Sequence, residues 1–142
     1  MAKQLPRGIR NNNPLNIGHS SSRWRGLAEK QTDSQFCQFK AMRWGLRAAF
    51  VILRTYINRY RCDTVSKIIN RFAPASENNT AAYISSVCAA TGLQPHERLK
   101  FSDKTKLCCI VKAMHIVENG CDYIPYCDIE SGYGMAINPN CY

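Results

Sequence analysis

A glutamate stands at the end of a strongly apolar helical pattern late in the sequence. Glu118 lies in the segment HIVENG, directly after Val117. A carboxylate at a helix C-terminus meets the negative end of the helix dipole, and apolar neighbours also disfavour its charge, so both effects raise its pKa. A carboxyl group that keeps its proton near neutral pH can act as a general acid, as glycosidic bond cleavage requires. The alternative is a solvated glutamate in a frayed last turn.

A second group must handle water or a cationic intermediate in such a reaction, and the sequence offers few acidic residues for it. Glu77, in the segment SENNT before a predicted helix, is the second candidate. A glutamate at that position also stabilises the positive end of a helix dipole or makes a capping contact. Both interpretations of Glu77 stay open.

Amide and aromatic side chains in the first 40 residues suit carbohydrate binding. Amides bond to hydroxyl and acetamido groups, and aromatic rings pack on sugar faces. The candidates for a sugar-binding groove are Asn11, Asn12, Asn13, Asn16, Trp24 and Gln38. The alternatives are turn formation by the asparagines and core packing by Trp24.

The sequence predicts neither a metal site nor a cofactor. His115 lies three residues before Glu118, but there is no CxxC pair and the three histidines are far apart. We therefore expect His115 to be a structural or surface residue. The eight cysteines permit disulfides, most readily within residues 108–141, although a protein kept in the cytoplasm holds its thiols reduced. Cys88 and Cys108 fall on apolar helical positions and are expected in the core.

The charge of the chain is concentrated in its first half. The net charge is +9; residues 1–71 hold 14 Lys and Arg against 3 Asp and Glu, and residues 72–142 hold 5 against 7. Such a field attracts polyanions, whether nucleic acid, anionic lipid or a cell wall rich in carboxylate and phosphate. A predicted helix that carries Arg43, Arg47 and Arg54 permits nucleic-acid binding, but no recognised nucleic-acid motif accompanies it.

Length and composition indicate one globular domain. The chain has 142 residues, of which 45% are hydrophobic and 20% charged. Neither a signal peptide nor an apolar run long enough for a membrane span is present in the pattern. If the protein acts on a cell wall, we expect it to be made in the cytoplasm and delivered by lysis, by a phage or by a dedicated secretion machine.

The hydrophobic pattern predicts a mainly α (α+β) architecture. Residues 1–40 are turn-rich, with short strands at 14–18 and 35–39 as candidates for a small β lobe. Apolar residues at helical spacing predict four helices, and little periodicity after Gly120 predicts an irregular tail over 121–142. The predicted helices cover 41–60, 64–72, 79–91 and 103–118.

Several short motifs occur in an order that resembles known families. They are NNPLNI at 12–17, WRG at 24–26, FCQF at 36–39, NRY at 58–60 and IINRFAPASENNTAAYISSV at 68–87. With its opening RGIRNNNPLNI, the chain resembles the phage and mobile-element family labelled "structural protein P5-like". More loosely, it resembles the lysozyme-like superfamily, including autolysin-type glucosaminidases and lytic transglycosylases. The resemblance covers about residues 7–90.

The resemblance implies a lysozyme-like domain that cleaves the glycan strands of peptidoglycan, as a lytic transglycosylase, muramidase or glucosaminidase. In those relatives the catalytic glutamate ends a helix just before the NNP turn, whereas here only MAKQLPRGIR precedes that turn. We interpret the helix ending at Glu118 as the missing helix, moved by circular permutation. On this interpretation the catalytic residues are Glu118 and Glu77, and the substrate-binding residues are Asn13, Asn16, Trp24, Gln38 and Tyr83.

The resemblance also sets the expected partners. Peptidoglycan is the first, and a phage particle, a secretion machine or an immunity protein are further ones. Two alternatives stay open: a non-catalytic phage virion or cell-wall-binding protein with a lysozyme-like fold, and a basic nucleic-acid-binding protein. The charge of the first half suits all three interpretations.

Overall fold

A computed structural model describes residues 4–138 of the chain. These residues form a helical structure, which confirms the mainly α class predicted from the sequence. The helices are α1 (Arg7–Arg10), α2 (Met42–Arg59), α3 (Val65–Phe72), α4 (Thr80–Thr91), α5 (Lys104–Asn119) and α6 (Tyr126–Ile137).

Helices α2 to α5 begin and end where the sequence signals predict. Thr64 caps α3 by accepting a hydrogen bond from the Lys67 backbone N–H, and Asn79 caps α4 in the same way. Gly92 and Gly120 end α4 and α5 in the left-handed conformation, which glycine adopts without strain.

Helix α6 occupies the segment for which the sequence predicts an irregular tail, so that prediction is wrong for Tyr126–Ile137. Gly132 and Gly134 lower the intrinsic helix propensity of this segment and conceal the helix. Close packing on α2 stabilises α6 in spite of its low helix propensity. A Cβ added at Gly132 would lie only 2.6 Å from the Leu46 Cβ, so the two helices approach each other closely. The sequence pattern does not predict the short helix α1 either.

The turn-rich segment contains isolated bridges in place of the small β lobe that the sequence predicts. Gly18 pairs with Phe36, and Leu27 pairs with Phe39, both antiparallel. Within residues 4–138 these pairs do not extend into strands, and the predicted β lobe is therefore not confirmed. Side-chain hydrogen bonds from asparagines hold this segment together instead.

The buried apolar side chains form one cluster that joins the helices to the turn-rich segment. Leu15 from that segment, Phe50 from α2 and Leu107 from α5 are all fully buried. Cys108 is fully buried as expected, and Cys88 packs partly buried against the core. Tyr60, directly after the end of α2, is 45% exposed.

The seven cysteines among residues 4–138 are free thiols, so no disulfide joins them to one another; Cys141 lies outside the described residues. No helix within the described range has both the length and the apolar character needed to cross a bilayer.

Candidate functional site

Glu118 lies in the last turn of α5 with its side chain against the NNP turn of the first segment. The Asn16 Nδ2 donates a hydrogen bond to the Glu118 Oε1 at 3.0 Å. Burial raises the pKa of Glu118 above its ordinary value, and the hydrogen bonding of Asn16 and the proximity of Tyr83 oppose that rise without cancelling it. A half-buried carboxyl of this kind can hold a proton at higher pH than a solvated one.

The turn that presents Asn16 is held by the amide of Asn13. Asn13 Nδ2 donates to the carbonyl oxygens of Ile17 (2.9 Å) and Cys37 (2.8 Å), and its Oδ1 accepts from the Ile17 N–H (2.9 Å). Asn12 and Asn16 both have a φ of 52°, a left-handed conformation that asparagine tolerates better than most residues. The asparagine-rich sequence therefore fixes the geometry of the turn.

The end of α5 is joined directly to this turn. Asn119 Nδ2 donates to the Pro14 carbonyl oxygen at 2.9 Å and to the His115 carbonyl oxygen at 2.8 Å. Gly8 permits the approach, because a Cβ there would lie 2.6 Å from the Asn119 Oδ1 and 2.8 Å from the Asn16 Oδ1. A helix end and a turn that are about a hundred residues apart in sequence thus form one unit.

Glu118 lies where two open clefts meet. The helical cleft, of about 400 Å³, is lined by Asn78, Asn79, Ala82, Tyr83, Ser86, Val117 and Glu118. The turn cleft, of about 290 Å³, is lined by Leu15, Asn16, Ile17, Gly18, Gln35, Phe36, Phe72, Ala73, Glu77, Asn78 and Glu118. Because Asn78 and Glu118 line both, the clefts are adjacent and offer an extended path of mixed polar and apolar lining past the Glu118 carboxyl.

Tyr83 is the other predicted site residue that the structure brings to Glu118. Its side chain is buried in the wall of the helical cleft, and its hydroxyl has no fully aligned hydrogen-bond partner among the described residues. Burial first, and then the neighbouring Glu118 carboxylate, hold the pKa of Tyr83 far above its ordinary value. The hydroxyl therefore keeps its proton and is available as a donor beside the carboxyl.

The remaining predicted site residues differ in their access to the clefts. Glu77 is exposed and lines the turn cleft together with Asn16 and Glu118. Asn13 is fully buried with its amide occupied by the turn, so it presents no atom to a ligand.

Trp24 and Gln38 line neither cleft. Trp24 is half-buried against the core. The Gln38 Oε1 accepts hydrogen bonds from Thr32 and Asp33, and its Nε2 donates to the Asn11 Oδ1 at 3.1 Å. Both residues therefore contribute to the packing and hydrogen bonding of the turn-rich segment, and neither contacts the clefts at Glu118.

Asn78, Gln35 and Asn119 belong to the site but are not among the candidates that the sequence predicts. Asn78 lines both clefts and Gln35 lines the turn cleft, while Asn119 ties the helix to the turn. Asn119 and Asn78 carry a usable signal, since each directly follows a candidate acid in the sequence, Glu118 or Glu77. Polar residues in loops, such as Gln35, give no such signal.

His115 is a buried structural residue. Its Nδ1 donates to the Lys112 carbonyl oxygen at 2.6 Å, and its Nε2 accepts from the Tyr123 N–H at 3.1 Å. Burial lowers the pKa of His115, which keeps the ring neutral. Among residues 4–138 no group of three or more His, Cys, Asp or Glu is arranged to hold a metal ion.

The chain is similar in sequence to a phage protein. No protein-family model matches it. It is 39% identical over 133 residues to Protein P5 of Pseudoalteromonas phage PM2, and the match covers 92% of this chain and 81% of that protein. At this identity and coverage, the chain belongs to the phage protein P5 family.

Proposed function

We propose that the protein cleaves the glycan strands of bacterial peptidoglycan, with Glu118 as the general acid. The observation that carries this proposal is the half-buried Glu118 carboxyl, with its raised pKa, at the junction of two open clefts. A polysaccharide substrate needs an extended groove, and its cleavage needs a carboxyl group that retains its proton beside the glycosidic oxygen.

The contact between the end of α5 and the NNP turn supports the further proposal of a circularly permuted lysozyme-like domain. In lysozyme-like relatives the catalytic helix directly precedes this turn. Here the two elements are distant in sequence, yet Asn119 bonds to the Pro14 carbonyl and Asn16 bonds to Glu118. Chain termini that lie near each other make such a rearrangement tolerable.

In the proposed reaction Glu118 protonates the glycosidic oxygen between the aminosugars. The sugar then closes on itself to an anhydro product, or water attacks it. The Tyr83 hydroxyl donates a hydrogen bond toward the site and keeps its proton, and exposed Glu77 orients water or stabilises positive charge from the wall of the turn cleft. Asn16 and Gln35 contribute amide groups for hydroxyl and acetamido groups of the substrate.

Incubation of the purified protein with purified sacculi tests this proposal. We expect soluble muropeptides, whose mass distinguishes anhydro ends from reducing ends and so separates transglycosylase from hydrolase chemistry. Intact sacculi after prolonged incubation at several pH values would contradict the proposal.

A second candidate is a non-catalytic phage protein that binds the cell wall, and membership in a phage protein family favours it. Such a protein keeps the two clefts but does not cleave the glycan, since a fold does not imply an activity. Sedimentation of the protein with sacculi, without release of any soluble product, is the result that this candidate predicts.

A further inference from the structure

A pocket with several cationic side chains lies at the start of α3, apart from the two clefts at Glu118. This basic pocket has a volume of about 460 Å³ and is lined by Arg61, Asp63, Thr64, Lys67, His96 and Arg98. None of these residues lines the helical cleft or the turn cleft. The basic pocket is therefore a separate feature of the surface.

The basic pocket carries more positive than negative charge. Its single carboxylate, Asp63, is shared by the Arg98 guanidinium at 3.1 Å and by the Lys67 Nζ at 3.6 Å. Arg61 adds a further positive charge, and its side chain makes no hydrogen bond or ion pair with the residues that the structure describes. An anion that enters the pocket would balance this excess.

The donors that an anion would meet are side chains. The backbone N–H of Ser66 donates to the Pro95 carbonyl oxygen at 3.0 Å, and that of Lys67 donates to the Thr64 Oγ1 at 3.1 Å. Since these two amides at the start of α3 are already occupied, the helix contributes mainly the positive end of its dipole. The Arg98 Nε and Nη2 already donate to the Asp63 carboxylate at 3.2 and 3.1 Å, so hydrogen bonds to an anion would come from the Arg61 guanidinium and from the remaining N–H groups of Arg98.

An apolar groove adjoins the basic pocket. It has a volume of about 680 Å³ and is lined by Ile57, Asn58, Asp63, Arg98, Leu99, Lys100, Phe101, Ser102, Tyr133 and Ile137. Asp63 and Arg98 line both features, so the cationic and the apolar surfaces meet at these two side chains. Ile137 is 52% exposed in the groove, where it leaves apolar area uncovered.

We propose that the basic pocket and the apolar groove together bind a phosphate group that is joined to a hydrocarbon chain. Arginine presents a planar fork of donors that matches the oxygens of phosphate, and Lys67 adds a point charge beside it. The hydrocarbon chain would cover Ile137 and the groove behind Arg98. A sugar-phosphate polymer lacks the continuous apolar part that the groove accommodates, which favours a phosphate-headed amphiphile over nucleic acid.

The probe for this proposal is dihexanoyl phosphatidic acid below its micelle concentration, titrated into the full chain and followed by two-dimensional NMR. We expect saturable shifts at Arg61, Arg98 and Ile137. Dihexanoyl phosphatidylcholine, whose headgroup carries its own cation, should bind more weakly, and inorganic phosphate should shift only the basic pocket. Equal affinity for inorganic phosphate would overturn the role of the apolar groove.

Matched variants distinguish specific binding at the basic pocket from nonspecific electrostatic attraction to the positively charged surface. The double variant Arg61→Ala/Arg98→Ala should weaken binding about tenfold or more, as loss of charge-assisted hydrogen bonds does. It leaves Asp63 paired with Lys67. The control Arg23→Ala/Lys30→Ala removes two exposed cations that line neither feature and should leave the affinity unchanged.

Ile137→Ser should weaken the binding of the amphiphile but not the binding of inorganic phosphate. Glu118→Gln should change neither affinity. The outcome for this proposal is therefore independent of whether the protein cleaves glycan strands. Equal losses in the arginine variant and in the control would show diffuse attraction of polyanions, including oligonucleotides, and would overturn the proposal. Absence of any saturable shift would overturn it as well.

Discussion

The Asn16 side-chain amide donates a hydrogen bond to the Glu118 carboxylate at 3.0 Å across a separation of 102 residues in sequence. This contact brings the asparagine-rich turn and the C-terminal end of α5 into one site. It also sets an electrostatic balance at Glu118, because burial favours the protonated carboxyl and the amide favours the charged one.

Removal of the Asn16 amide should raise the pKa of Glu118 further. In Asn16→Ala the carboxylate loses its donor while burial of the site continues to disfavour the charge. A pH titration of the Glu118 side-chain carboxyl by carbon-detected NMR measures the pKa in both proteins. An unchanged or lowered pKa would show that Asn16 does not influence the carboxyl in solution.

Gly8→Ala should destabilise the protein and displace the side chains of Asn16 and Asn119 at the site. The new Cβ would lie 2.6 Å from the Asn119 Oδ1 and 2.8 Å from the Asn16 Oδ1, closer than such atoms approach. We expect a loss of about 1–3 kcal/mol in the free energy of unfolding, as for other overpacked sites, measured by urea denaturation.

The matched control is Gly134→Ala. Gly134 lies inside α6, and a Cβ there would meet no atom within 4 Å. Alanine has the higher helix propensity, so this variant should gain about 0.4–1 kcal/mol. Equal stability changes in the two variants would show that the space around Gly8 is not limiting.

Asp33 should stabilise the turn-rich segment in a pH-dependent way. Arg7 donates to its carboxylate at 2.7 and 2.6 Å, and Asn11 and the backbone N–H groups of Gln35 and Phe36 donate at 2.9 Å. These donors, Arg7 foremost, hold the pKa of Asp33 far below its ordinary value.

Because the pKa of Asp33 is lower in the folded state, its contribution is complete above the unfolded value of about 4 and is lost as the pH falls below it. Urea denaturation of the wild type from pH 5 to pH 2 should therefore show a steeper loss of stability than Asp33→Asn. Glu29→Gln, at an exposed position, should follow the wild type. Parallel curves for all three proteins would refute the role of Asp33.

The sequence predicts helices α2 to α5 because apolar residues recur there at helical spacing, and capping or glycine residues mark several of the helix ends. The cap at Thr64 and the left-handed ends at Gly92 and Gly120 are local signals, and the structure retains them. Helix α6 escapes prediction because its stability comes from close packing of Gly132 on Leu46, a tertiary contact that no local pattern records.

The candidate site shows the same division between local and distant information. Side-chain type alone does not distinguish Asn13, whose amide bonds to backbone atoms of the turn-rich segment, from Asn16, whose amide bonds to Glu118. Likewise, Gln38 has the chemistry of a sugar-binding residue but bonds to its own loop. The contact of Asn119 with Pro14 depends on the fold of the whole chain.

The most direct test of the central proposal is the rate at which the wild type and Glu118→Gln release muropeptides from purified sacculi. Glutamine keeps the shape of the side chain but supplies no acidic proton, so release should fall by about a hundredfold or more while the circular dichroism spectrum stays unchanged. Glu77→Gln, which changes the exposed carboxyl of the same cleft, should retain more activity. Undiminished release by Glu118→Gln would contradict the assignment of Glu118 as the catalytic acid.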